Sequence, residues 1–299
     1  MNKKQIPDDD PQPPTANAIT RFVDSSDDLA LELAIYRAFR DSGWGAIYGH
    51  FYWDPILEKP RQFDVQGWKD LQKNPSTPKL PTTGIRIAAE CKNVDPNFPV
   101  IVSRVPRAES ESYHCLIWRT LHASIGEPPA VRVIKSSERD SKPYHVDAPV
   151  GKSIAQYSAK EKDKDRGRAG EDPYAKWSQS LASCASLVRQ AYQDAFSSRN
   201  APDLCFIMPA LVVANGALWT VDYDKDGVRG EPTLADDATF FVGRAYELTD
   251  VPVSGKQKYW VSHLHLYTKK GFVKALQTLN SRQHGTELDR FFRLGFGMD

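Results

Sequence analysis

The sequence has no long apolar run, no clustered cysteines and no excess of either charge. No stretch approaches the roughly 18 consecutive apolar residues that span a bilayer, and the opening MNKKQIPDDDPQPP holds no apolar segment to act as a secretory signal. Membrane and secreted classes are therefore not expected. The four cysteines, Cys91, Cys115, Cys184 and Cys205, stand far apart and form no CxxC pair. That argues against a disulfide framework or a zinc site and fits a reducing, cytoplasmic compartment. Thirty-nine Lys and Arg against 38 Asp and Glu leave a net charge of +1. An acidic centre ringed by basic surface would average away in that sum, so net charge leaves the partner undecided.

What is present is enough apolar material for one large core or two modest ones: 299 residues, 40% hydrophobic and 11% aromatic. Residues 1–20 are rich in Pro, Asp, Asn and Lys and read as a disordered tail. The rest, 21–299, reads as one domain. From Asp27, DDLALELAIYRAFRDSGWG has acids at its start, helix formers in its middle and Gly43 at its end, the marks of a helix. AIYGHFYW, RQFDVQGW and GIRIAAECKN follow as short β-rich runs of an antiparallel meander. FPVIVSRV reads as a strand and YHCLIWRTLHASIG as a helix. A polar, charge-dense insertion is expected at about 135–175.

A second helix places Trp177, Leu181, Cys184, Val188, Ala191 and Ala195 on one apolar face. LCFIMPALVVANGALWTVDYD reads as a buried strand and a hairpin turning at Asn215-Gly216. ATFFVGRAYEL and YWVSHLHLYT read as further strands, and Thr268 as the cap of a closing helix, KKGFVKALQTLN. The sum is an α/β unit with mixed strand directions.

Alternation carries the chemistry. In GIRIAAECKN, Ile85, Ile87, Ala89 and Cys91 point one way and Arg86, Ala88, Glu90 and Lys92 the other. In RQFDVQGW the same rule puts Phe63 and Val65 on the apolar face and Gln62, Asp64 and Gln66 opposite. If these segments pair, Asp64, Glu90 and Lys92 converge. Two adjacent carboxylates suit a hard divalent cation, and a lysine beside them can orient or deprotonate a water for attack on a phosphodiester.

Asp64 followed by Glu90-Cys91-Lys92, on an apolar-flanked strand after an amino-terminal helix, resembles the PD-(D/E)xK superfamily of restriction-endonuclease-like nucleases. The likeness is best over the first hundred residues; Phe63 stands where the motif name has proline. It implies an α/β fold with a restriction-endonuclease-like mixed sheet flanked by helices, and cleavage of nucleic acid, DNA ahead of RNA, with Mg²⁺ or Mn²⁺. By the family pattern Asp64 and Glu90 hold the metal, the Cys91 carbonyl adds a ligand, Lys92 serves the attacking water, and Glu32 on the first helix lies near the metal. Roles in defence, restriction or repair are implied in the same way, as is a homodimer or a regulatory protein partner.

Two rival readings make distinct predictions. A nuclease-fold module without the chemistry would bind a partner protein or nucleic acid and cut nothing. An unrelated α/β domain with a coincidental ExK would hold Asp64 and Glu90 far apart. Lesser signals are weak. Asp222, Asp224, Asp226 and Gly227 copy half an EF-hand loop, but Thr233 stands where the bidentate glutamate belongs. Gly151-Lys152-Ser153 lacks the first glycine of a phosphate loop. His263 and His265 share a strand face with no companion motif, the pattern of satisfied histidines near a sheet surface. Lys160, Lys162, Lys164, Arg166 and Arg168 alternate with acids as in a solvated loop, with a clamp over phosphates as the alternative. Trp44, Trp53, Trp68 and Tyr48 can pack in a core or stack on bases.

Overall fold

A computed structural model describes residues 13–26, 28–54, 58–71, 82–119, 125–135, 144–157, 173–198, 200–248 and 257–280. Helix α1 spans Ala16–Ser26 and α2 Leu29–Asp41. Strands β1 (Gly45–Tyr48), β2 (Phe51–Asp54), β3 (Lys59–Gln62), β4 (Val65–Leu71) and β5 (Thr83–Lys92) follow. Next come β6 (Val100–Pro106), β7 (Tyr113–Trp118), β8 (Ala130–Lys135) and β9 (Pro149–Gln156), then α3 (Pro173–Ser197). The chain continues through β10 (Leu204–Val213), β11 (Leu218–Asp222), β12 (Thr233–Leu234), β13 (Asp237–Leu248), β14 (Gln257–Thr268) and α4 (Lys269–Asn280).

Twelve strands form one mixed sheet in the order β1-β4-β5-β10-β14-β13-β9-β6-β11-β12, with β7 paired to β10 and β8 to β7; β2 and β3 make a separate hairpin. The protein is thus mixed α/β with a large sheet flanked by helices. Strand β10 lies between β5 and β14, parallel to both, and all ten of its residues are buried. A continuous apolar run is what a strand covered on both faces requires. On one face Leu31, Ile35 and Phe39 of α2 and Phe272 and Leu276 of α4 meet Ile85, Ile87, Ala89 and Cys91 of β5. Burying each large side chain of α2 contributes about 1.5–3 kcal/mol as an upper figure. Gly67 lets this helix approach β4, because a Cβ there would stand 2.1 Å from the Phe39 ring. On the other face α3 lays Leu181, Cys184, Leu187, Val188 and Tyr192 over Ala88, Cys205 and Ile207.

The β1, β4 and β5 strands form the expected antiparallel meander, and Thr268 Oγ1 accepts the Gly271 N–H at 3.1 Å as the cap of α4. Five expectations need correction. Residues 16–20, expected in a tail, open helix α1, whose start is marked by the Ala18 N–H bonded to Thr15 Oγ1. YHCLIW is strand β7, because its buried run pairs with β8 and β10. The charged insertion contains β9, which pairs with β6 and buries Val150 and Gly151; residues 136–143 and 158–172, with the clamp lysines and arginines, lie outside the described residues. Asn215-Gly216 does form a turn, with Gly216 at φ +84°. Yet it joins no hairpin, since β11 leaves β10 to pair with β6 and β12. Finally, Phe63 and Val65 lie on opposite faces, Phe63 under α3 and Val65 under α2, because the chain bends at Asp64 between β3 and β4 and breaks the alternation. Among the described residues no helix is long and apolar enough to cross a membrane.

Candidate active site

The β4–β5 register pairs Val65 with Ala89, so the bend at Asp64 falls opposite Glu90. Asp64 Oδ2 accepts the Cys91 N–H at 2.7 Å, which fixes its carboxylate against the end of β5. Coincidental placement of the two acids far apart is thereby excluded. Glu90 is fully buried, flanked by β4 on one side and by Leu211 of β10 on the other. Neither carboxylate oxygen of Glu90 receives a well-aligned hydrogen bond; the nearest positive atom is Lys92 Nζ at 3.1 Å from Oε1. That ammonium also lies 3.2 Å from Asp28 Oδ2 and 3.9 Å from Asp64 Oδ2.

Asp28 escaped the sequence reading. It stands just before α2, where an acid reads as a helix-start signal, but it makes no side-chain cap. Its Oδ1 instead accepts the Asn93 N–H at 2.5 Å while Oδ2 takes Lys92. A carboxylate that skips its own helix end in favour of a strand end 64 residues away leaves no mark in local spacing. Glu32, one turn further along α2, is half-buried and interacts with Asp64, Asp28, Lys92 and the Tyr48 hydroxyl. The structure therefore brings all of Asp64, Glu90, Cys91, Lys92 and Glu32 to one strand end and adds Asp28.

Four carboxylates around one ammonium leave an excess of negative charge. Burial, and then the Asp64 charge, push the Glu90 carboxyl well above the usual carboxylate range. Burial raises Asp64 too, against the pull of Lys92 and the Cys91 N–H. Burial and the Asp64 charge raise Glu32. Burial alone would lower Lys92, but Glu90, Asp64 and Asp28 outweigh it and hold the ammonium charged. The Cys91 thiol lies in the apolar layer under α2 and burial pushes its pKa up, so its backbone is the part that can serve a cation. Glu90 shares its one ammonium, Lys92, with Asp28 and Asp64, and a buried carboxylate compensated only in part favours a proton or a further cation, because burying uncompensated charge costs several kcal/mol. The oxygens of Glu90 and Asp64 are of the hard donor type that divalent ions such as Mg²⁺ take. As the side chains stand, no group of three His, Cys, Asp or Glu among the described residues is already arranged around an ion.

The other sequence signals are absorbed elsewhere. Asp222 forms a two-bond pair with Arg104 (2.6 and 2.9 Å), and Asp224 Oδ1 accepts the N–H groups of Asp226 and Val228, closing a turn that leaves those oxygens little for calcium. Lys152 lies on β9 and pairs with Glu111. His263 and His265 are buried, not near the surface. His265 bonds Tyr144 through Nε2 at 2.8 Å and Tyr267 through Nδ1 at 3.2 Å, while His263 bonds Ser262 and stacks on Tyr144 at 3.8 Å. Trp44 is core. Trp53 and Tyr48 are exposed. The chain matches no protein-family model, no curated protein and no solved structure.

Proposed function

We propose that the protein is a divalent-metal-dependent nuclease of the restriction-endonuclease-like kind. It hydrolyses phosphodiester bonds in nucleic acid, DNA ahead of RNA. The carrying observation is Glu90: a wholly buried carboxylate facing Asp64 across paired strands, short of positive charge and joined to Lys92 by the ExK spacing. The helix bearing Glu32, the acid at a strand start and the ExK at the end of the neighbouring strand match the order of the superfamily that the sequence resembles. Roles in defence, restriction or repair rest on that resemblance alone, as do a cytoplasmic location and a dimeric or partnered state.

In this reading Asp64 and Glu90 would hold Mg²⁺ or Mn²⁺, with the Cys91 carbonyl and Glu32 as further oxygen donors. The ion, when bound, supplies a polarised phosphate and a more acidic water. Asp64 is kept in position by the Cys91 N–H. Lys92 stays an ammonium in its ring of carboxylates, so it does not take a proton from the water; it orients that water and offsets charge gathering on the phosphate oxygens. Asp28 holds Lys92 Nζ through an ion pair at 3.2 Å.

Cleavage of plasmid, linear duplex, single-stranded DNA and RNA, with Mg²⁺, Mn²⁺ or EDTA, tests the reading. Asp64→Ala should lose both the metal-induced rise in melting temperature and cleavage. Lys92→Ala should keep that rise and cut roughly 100-fold more slowly or worse. Equal cutting by wild type and both variants would overturn the assignment. A metal-induced melting shift with no cutting of any substrate favours the second reading, a nuclease-fold module that binds without chemistry.

A further inference from the structure

The β2–β3 hairpin brings one more side chain to the candidate site. Gly49 N–H bonds the Asp64 carbonyl at 3.2 Å and Phe63 N–H bonds the His50 carbonyl at 2.8 Å, so the hairpin is tied to the bend that carries Asp64. Asp54 pairs with Arg61, and Arg61 bonds Gln179 of α3 at 2.5 Å. With that brace Tyr52 and Asp54 turn inward and Phe51 and Trp53 stay outside. The Tyr52 ring packs on Phe63 at 4.6 Å, in the layer under α3 that also holds Ala88. Alternation along β5 puts Ala88 and Glu90 on one face, and Phe63 directly precedes Asp64 in the chain. Tyr52 thus stands beside both carboxylates, with its hydroxyl in electrostatic reach of Glu90 and Asp64 as well as Arg61 and Asp54.

Two other tyrosines of this layer use their hydroxyls in the fold: Tyr246 donates to the Leu181 carbonyl and Tyr259 to the Cys115 carbonyl, each at 2.9 Å. The Tyr52 hydroxyl, on a residue only 6% exposed, is buried with no hydrogen-bond partner. Such a group is costly to leave unpaired and calls for an explanation. Of the carboxylates around it, Asp54 takes Arg61 and Asp64 takes the Cys91 N–H. Glu90 is the one with both oxygens buried and lacking an aligned donor. A donor without an acceptor therefore stands beside an acceptor short of donors. Burial pushes the Tyr52 phenol up, so it keeps its proton to donate. Carboxylates that hold a metal are themselves hydrogen-bonded by outer groups that fix their orientation.

We propose that Tyr52 is a positioning residue for the ion: its hydroxyl donates to the Glu90 carboxylate when Glu90 turns from Lys92 to a divalent cation, and holds that carboxylate in place. The role rests on the ion-holding part of the nuclease reading, but it is measured without substrate or cutting. Melting temperatures of the wild type, Tyr52→Phe and Tyr246→Phe are compared in EDTA and through a Mg²⁺ titration. Tyr52→Phe keeps the ring on Phe63 and removes no bond of the fold, so its melting temperature in EDTA should stay within about 2 °C of the wild type. The Mg²⁺ concentration needed for half of the melting shift should rise roughly tenfold or more. Tyr246→Phe should do the reverse, lowering the melting temperature in EDTA and leaving the Mg²⁺ midpoint where it was.

An unchanged Mg²⁺ midpoint in Tyr52→Phe overturns the role and leaves the nuclease reading standing if the wild type cuts. An equal rise in Tyr246→Phe overturns it too, since the midpoint would then follow the packing of the layer and not one hydroxyl. So does a larger fall of the Tyr52→Phe melting temperature in EDTA, which would give the hydroxyl a part in the fold itself. No melting shift in the wild type with Mg²⁺ or Mn²⁺ overturns the role together with the metal site. A Tyr52-dependent midpoint in a protein that cuts no substrate under any metal sustains the role and removes the nuclease reading.

Discussion

At the end of β5 four carboxylates gather around one ammonium; on β14 and its neighbours, Arg107, His114, His263 and His265 gather around Tyr144. Both clusters hold buried polar atoms without an aligned partner, Glu90 Oε1 and Oε2 in the first and Arg107 Nε and His263 Nε2 in the second. Their electrostatics differ. Burial lowers the pKa of His265 and of His114 to about 3 each and that of His263 well below its usual value, so all three are neutral at pH 7. Arg107 donates to the His145 carbonyl at 2.9 Å and to Thr239 Oγ1 at 3.0 Å. A histidine escapes its desolvation cost by releasing a proton. Glu90 shares Lys92 with two other carboxylates and escapes the rest of its cost only by gaining a proton or a further cation. A buried polar cluster therefore points to function where its charge remains unbalanced, and the carboxylate cluster meets that condition.

The largest expected effect tests that contrast directly. Glu90→Gln should reduce cutting by roughly 100- to 1000-fold. It should also raise the melting temperature in EDTA by a few degrees, since it removes a buried charge while keeping the shape, and it should abolish the rise produced by Mg²⁺. A lower melting temperature with the Mg²⁺ response intact would place the cation elsewhere. The wild type should show the matching pH dependence. The Glu90 and Asp64 carboxyls are raised on folding, so the folded chain keeps protons that the unfolded chain has released. The stability this supplies is fully present below the unfolded carboxylate range and fades as pH rises through the folded values. Melting curves in EDTA should therefore decline from about pH 5 upward on this account, and Mg²⁺ should restore more at pH 8 than at pH 5.

The second cluster should respond in the opposite sense. Arg107→Met leaves the His145 carbonyl and the Thr239 hydroxyl without their donor in a buried setting, which costs about 2–4 kcal/mol. The melting temperature should fall by roughly 5–10 °C, with the Mg²⁺ increment unchanged. An altered increment would mean that the clusters are coupled across β10 and would break the comparison.

Period-two alternation was enough to place Glu90 and Lys92 on one face of β5 and Cys91 on the other, because β5 is regular from Thr83 to Lys92. It misled at Phe63 and Val65, where the bend at Asp64 reverses the faces, and that bend is what turns the Asp64 carboxylate toward the Cys91 N–H. The run YHCLIW has a short apolar pattern that helix and strand share; pairing with β8 and β10 decides it. Asp28 was invisible because its partners, Lys92 and Asn93, are brought to it by the sheet. The exposure of Trp53 was equally hidden, since only the α3 brace fixes which side of the hairpin turns inward.

The smallest expected effect isolates Asp28. Asp28→Asn keeps an oxygen for the Asn93 N–H but gives up the charge that pairs with Lys92 Nζ. The lost ion pair is partly exposed and worth under about 1 kcal/mol, and relief of repulsion among the remaining carboxylates offsets some of it. The melting temperature in EDTA should therefore move by only about 2 °C. Lys92 then settles more firmly against Glu90, the oxygens a divalent ion must occupy. The Mg²⁺ concentration needed for half of the melting shift should rise severalfold, read from titrations of wild type and variant at one pH. An unchanged midpoint would show that the ammonium does not compete for Glu90, and would leave Lys92 to act on the water without being held back by Asp28.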